Sequence, residues 1–196
     1  APQILLEELG LSHEVHWVDP TVAQGAEYRR LNPTGKVPAL VLPDGTAMFE
    51  SVAMVVHLTD CHPSALAPRP GTPAHAKYLQ WMVYLSSTLY ETYLRYYYSD
   101  RYSSGGMNDA PRVKEKAASD LVTAFGVLEG GLHPYLLGAE ISAADLYLFM
   151  LTRWGRNLEP KAWDRPNLGA HYARLAERPS VRLMLEQQGI EAYPAE

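Results

Sequence analysis

The sequence predicts a protein of two unlike parts, a small mixed α/β segment followed by a larger all-helical one. Three observations lead to that reading. Asn32 to Ser51, NPTGKVPALVLPDGTAMFES, holds a turn, two short strands and a helix start in one continuous stretch. His62 to Thr72, HPSALAPRPGT, has the proline and small-residue content of a linker. From Pro73 onward, apolar residues recur at helical spacing.

Taken in order, Pro2 to Leu9 reads as a short helix, with Pro2 in its first turn and Gly10 as its stop. Ser12 to Val18 alternates well enough to predict a strand, Val15 and Trp17 on one face, His16 and Val18 on the other. Asp19-Pro20-Thr21 breaks it, and Val22 to Leu31 is expected to be an irregular helix. In the central stretch, Pro33 fixes φ and Gly35 tolerates positive φ, which makes a turn. Pro38 belongs at the start of the strand beyond this turn, because proline cannot donate to a ladder. Pro43-Asp44-Gly45 is the hairpin turn, and Ala47 to Phe49 the return strand. Val52 to Thr59 continues as a helix whose first turn leaves backbone N–H groups at Ser51.

The second part begins with one long or kinked helix from Pro73 to about Tyr102, striped by Leu79, Met82, Leu85 and Leu89. Seven of the 13 tyrosines fall between Tyr84 and Tyr102, and Tyr90, Tyr93 and Tyr97 share a face by spacing. That face suits either a pocket for aromatic molecules or ordinary helix packing. Val113, Ala117, Leu121, Phe125, Leu128 and Leu132 stripe a further helix. Ser142 and Asp145 form a capping box before the wholly apolar run Leu146 to Leu151. Arg165-Pro166 and Arg178-Pro179 open two last helices, Gly189 ends the second, and the tail from Glu191 to Glu196 is expected to be disordered.

Composition narrows the function. The net charge of −5 without a basic block argues against nucleic acid or an anionic membrane surface as a partner. No apolar run approaches the ~20 residues of a membrane span. The single cysteine, Cys61, rules out an internal disulfide and fits a reducing compartment such as the cytoplasm. His57, Cys61 and His62 are close in sequence, but no second ligand pair accompanies them, so no metal is expected. A hydrolase nucleophile elbow and a Gly-rich nucleotide loop are both lacking.

The order N-P-x-G-K-V-P-x-L over residues 32–40, a hairpin, then Glu50-Ser51 at a helix start resembles the thioredoxin-like domain of cytosolic glutathione transferases. L-G-x-x-x-S-x-A-D over residues 137–145 resembles the buried-helix start of the same family's C-terminal domain, where Ser and Asp are structural. The resemblance covers Pro2 to about Gly189. It implies a thioredoxin-like domain over 1–62 with its first strand absent, a linker over 63–72 and an all-helical domain over 73–196. Pro38 is then cis, and Val37 pairs backbone to backbone with the cysteinyl part of glutathione, the co-substrate. Glu50 is placed to take the γ-glutamyl ammonium, Ser51 its carboxylate, and Lys36 the glycyl carboxylate.

The function implied by this resemblance is conjugation of the glutathione thiolate to a small hydrophobic electrophile, a detoxification reaction, by a homodimer. Tyr90, Tyr93 and Tyr97 are the expected electrophile pocket. The thiol-activating Tyr, Ser or Cys is expected upstream of Ala1, on roughly 10–15 further residues of strand and loop. The words around Ala1-Pro2 and Gly71-Thr72-Pro73 look most like bacterial, beta-type members, although Tyr90-Glu91 stands where that class carries a His-Lys pair. Two alternatives share the fold: a glutathione-dependent thiol reductase or isomerase using an upstream cysteine, and a non-catalytic binding protein. Lys36, Val37, Glu50 and Ser51 argue against the last, since a scaffold has no use for them.

Overall fold

The computed structural model describes residues 1–193. Helix α1 spans Pro2–Glu8 and buries Pro2, Ile4 and Leu5; the chain leaves it through Gly10 at φ +66°. A short helix α2, Pro20–Ala23, is capped by Asp19, whose carboxylate accepts from the Thr21 amide at 2.8 Å. The strands β1 (Leu40–Val41) and β2 (Ala47–Met48) form an antiparallel hairpin with Leu40 opposite Met48 and Val41 opposite Ala47. Helix α3 comes next over Ser51–Cys61 and turns Met54, Val55 and Leu58 inward.

Residues 12–18 are not a strand. The segment is irregular, with Trp17 67% exposed and Val15 41% exposed. Alternation selects a face only where a neighbouring strand supplies the ladder, and none pairs with this segment among the described residues.

Helix α4, Pro73–Val83, starts under a Thr72 cap. It widens into a π-helical stretch over Tyr84–Tyr90 and resumes as α5, Glu91–Tyr97. Of the predicted stripe, Met82, Leu85 and Leu89 are fully buried, and Leu79 is partly buried against the core. Helix α6 covers Ala110–Gly131, α7 Ala143–Trp154, α8 Pro166–Ala176 and α9 Pro179–Gln187. Nine of the twelve residues of α7 are buried, which is why its sequence is apolar on every side. Its Phe149 stacks on Tyr172 of α8 with centroids 4.6 Å apart. Each large apolar side chain buried this way stabilises the fold by about 1.5–3 kcal/mol.

The small part is tied to the large one at the linker and along α1, among other places. Leu66, in the linker stretch, is buried, and its carbonyl accepts the first amide of α7, Ala143 N, at 2.8 Å. Helix α1 lies against α9, where Glu8 accepts from Arg178 Nε at 3.2 Å and also from Ser180. The stretch 191–193 is ordered by packing rather than loose. Arg153 Nε donates to Glu191 O at 2.7 Å, and Tyr193 lies edge-on to Trp163 and Tyr172. Residues 194–196 of the predicted disordered tail fall outside the described residues.

Candidate functional site

The loop from Asn32 to Pro38 is held from inside by side chains that bind its carbonyls. Asn32, 3% exposed, donates from Nδ2 to Lys36 O at 2.5 Å, and its Oδ1 accepts from Thr34 N at 3.0 Å and Thr34 Oγ1 at 2.7 Å. Tyr28 Oη donates to the same Lys36 carbonyl at 3.0 Å. Gln24 Nε2 donates to Gly35 O at 2.8 Å, and Arg29 Nη1 to Pro33 O at 2.9 Å. Gly35 is required here: φ is +65°, and a Cβ would stand 3.1 Å from Ala23 O, Arg29 Nη2 and Gln24 Nε2.

With those carbonyls turned inward, the next residue is left open. Val37 is 54% exposed, and the Val37–Pro38 peptide is cis. Among the described residues, neither the N–H nor the C=O of Val37 has an internal partner. A residue with both backbone groups free can pair with the backbone of a peptide-like ligand as a strand edge does. The Lys36 side chain is exposed beside it and makes no ion pair among the described residues.

At the start of α3, Glu50 is the N-cap residue and has φ 68°, the one positive φ at a non-glycine among the described residues. Such backbone costs about 1–3 kcal/mol and is found where a side chain must be aimed. The Glu50 side chain makes no capping bond and is exposed. Ser51 is therefore the first helical residue and not the cap. Its hydroxyl lies 2.8 Å from Tyr147 Oη, across 96 residues of sequence. Burial is the main cause pushing the Tyr147 phenol up to about 12; the Ser51 bond opposes it, while Tyr90 and Glu50 nearby add to it. Sequence reasoning missed Tyr147, as it missed Gln24, Tyr28 and Asn32 as supports of the loop. The only signal for Tyr147 was a phenol inside an apolar helix, which must find a partner for its hydroxyl.

The three tyrosines do share a face, but that face is largely packed against α7. Tyr90 meets the Trp154 ring at 4.9 Å and Tyr93 meets it at 5.9 Å, while Tyr97 Oη donates to Trp154 O. Tyr93 is fully buried and offers no surface to an electrophile, because the helix turns its ring into the core against Phe125. Tyr90 is half-buried, and burial together with the nearby Glu50 charge raises its phenol above the ordinary range. A cavity of about 360 Å³ is lined by Tyr96, Phe125, Leu158 and Arg165 among others, and by none of the three tyrosines. Cys61 Sγ sits 3.7 Å from His57 Nε2, and no cluster of three or more His, Cys, Asp or Glu is placed to hold a metal among the described residues.

At the other marked motif, Asp145 is fully buried and spends both carboxylate oxygens internally. It accepts from Leu136 N at 2.9 Å, Ser142 N at 2.8 Å, Ser142 Oγ at 2.7 Å and His171 Nε2 at 3.0 Å. The capping box is present and structural.

Comparison with known proteins covers most of the chain. The family model for the glutathione S-transferase N-terminal domain matches residues 2–61, and that for the C-terminal domain matches residues 88–179. Glutathione S-transferase GstA of Escherichia coli O157:H7 is 27% identical over 195 residues, covering 97% of this chain and 94% of that one. The beta class glutathione S-transferase of Sphingomonas chungbukensis superposes with a TM-score of 0.82 at 30% identity, over 97% of this chain and 94% of that one. A sphingomonad glutathione S-transferase solved in complex with glutathione gives 0.82 at 28% identity, with the same coverage. The N-terminal and C-terminal domain matches fall in the expected order, and the chain belongs to the glutathione S-transferase family.

Proposed function

We propose that this chain is a glutathione transferase that seats glutathione along the Val37 edge and the start of α3. The observation that carries the reading is the unpaired backbone of Val37, exposed on a loop in which the neighbouring Gly35 and Lys36 carbonyls accept from Gln24, Tyr28 and Asn32. The cysteinyl amide of glutathione pairs there, Lys36 faces the glycyl carboxylate, and Glu50 and Ser51 take the γ-glutamyl ammonium and carboxylate. The glutathione thiolate attacks an electrophilic carbon. The S–C bond forms, the leaving group departs with its bonding pair, and the thiol proton passes to solvent. The residues named here bind and orient; family resemblance assigns thiol activation to the stretch leading into α1. The exposed ring edges beside Tyr90 and Tyr97 suit a small hydrophobic electrophile. We further read the working form as a cytoplasmic homodimer of two-domain subunits, divided at 63–72. A lone unpaired cysteine and the aromatic α4–α5 region support that reading.

Calorimetric titration with glutathione tests the site. Saturable binding at millimolar or lower concentration is expected, weakened about 10-fold in Ser51→Ala, the loss of one charge-assisted hydrogen bond. A folded chain that takes up no glutathione at 10 mM (about ten times the weakest expected constant) would sink the proposal.

A further inference from the structure

We propose that Tyr147 is a positioning residue for the γ-glutamyl carboxylate: its hydroxyl donates to Ser51 Oγ and thereby directs the single Ser51 proton at the ligand. This rests on the glutathione reading above and assigns a role within it to a residue of the other half of the chain.

The direction of the bond comes from a count of partners. Tyr147 is 1% exposed, and Ser51 Oγ is the only partner of its hydroxyl among the described residues. If Ser51 donated to Tyr147, the phenolic proton would be left buried with no acceptor, the costlier arrangement. If Tyr147 donates, its proton is satisfied and Ser51 keeps its own free to point outward. The phenol, raised by burial, keeps its proton throughout the neutral range. A phenol is also the stronger donor of the two hydroxyls.

The result is a directional chain, Tyr147 O–H to Ser51 O–H to carboxylate, in which each bond polarises the next. A free serine rotor would spend part of its time aimed elsewhere. Here the rotor is set before the ligand arrives, so less orientational freedom is lost on binding. The need is sharper because Glu50 carries a negative charge beside the same helix start, close enough to raise both Tyr90 and Tyr147. An incoming carboxylate meets that charge, and a donor already turned toward it offsets the repulsion together with the first amides of α3. Tyr147 can do this because most of α7 around it is buried, which holds the phenol in one place.

The test is a double-mutant cycle with Tyr147→Phe and Ser51→Ala, measured by calorimetry with two probes. One is glutathione. The other is 4-aminobutyryl-cysteinyl-glycine, which keeps the amine but lacks the γ-glutamyl α-carboxylate. With glutathione, Tyr147→Phe is expected to raise Kd about 5- to 10-fold in the parent and less than about 2-fold in the Ser51→Ala background. With the analogue, Tyr147→Phe is expected to change Kd by less than about 2-fold in either background. A merely structural role would weaken both probes alike, and the analogue arm compares two ligands on one protein, so loss of folding cannot mimic the result. Equal losses for the two probes, additive losses in the cycle, or unchanged glutathione affinity in Tyr147→Phe each overturn the proposal. Failure of the parent chain to bind glutathione overturns the reading beneath it, and is told apart by that single arm.

Discussion

Asn32 and Asp145 are both buried polar residues that organise backbone, yet they serve opposite ends. Asn32 binds inward-turned groups of an exposed loop and so leaves Val37 without partners. Asp145 gathers four donors and leaves nothing over. Both lie in the two motifs most easily recognised in the sequence. The difference teaches that a recognisable motif marks a geometry, and that only the count of unsatisfied groups separates a binding edge from a helix start.

Removing each residue should break this comparison in a different way. Asp145→Ala strips four buried donors of their acceptor and is expected to cost about 3–5 kcal/mol in urea unfolding. Glutathione affinity of the protein that remains folded should stay within about 2-fold of the parent, since Asp145 presents nothing to a ligand. An affinity loss matching that of Ser51→Ala would erase the distinction.

Asn32→Ala should do the reverse, costing about 2 kcal/mol in stability but more than about 10-fold in glutathione affinity, because the freed loop no longer presents Val37. Gly35→Ala sharpens the same point by another route. It forces a Cβ against three atoms at 3.1 Å in a backbone conformation of φ +65°. We expect about 1–2 kcal/mol of destabilisation and a parallel loss of affinity, read by thermal melting and calorimetry on one preparation.

The smallest effect lies away from both motifs, at Glu8. Partial burial pushes this carboxyl up, but bonds from Arg178 and Ser180 outweigh it and hold it below the usual carboxylate range. A depressed acid stabilises the fold above its unfolded pKa and loses that contribution as pH falls through its folded pKa. Glu8→Gln is therefore expected to cost about 0.5–1 kcal/mol at about pH 7. Its deficit should vanish as the pH falls well below about 4, leaving a flatter acid limb in a melt series from about pH 7 to about pH 3.

How much of this was legible depends on how local each signal is. The hairpin, the Gly35 turn, the stripes of α4 and α6 and the capping box are set within a few residues, and all were readable. Residues 12–18 had a local alternation but no partner strand, and partnership is not a local property. Tyr147 lay hidden in LYLFML, where helical spacing says only that the run is buried. Its contact with Ser51 depends on how α3 meets α7, which no window of sequence contains. Tyr93 failed as a pocket residue for a related reason. Spacing gives its face correctly, but only tertiary packing shows that Trp154 and Phe125 already fill that face.

The clasp between α1 and α9 has a consequence for synthesis. Gln187 Nε2 donates to Glu7 Oε1 at 2.9 Å, Gln188 Nε2 to Gln3 Oε1 at 2.6 Å, and Arg178 reaches Glu8, over separations of 170 to 185 residues. A nascent chain makes α1 long before it makes α9. For all of that interval Gln3, Glu7 and Glu8 lack these partners, until α9 has cleared the ribosome. This side of α1 is thus among the last to be locked, and a message cut short before the codon for Arg178 yields a chain in which the clasp cannot form.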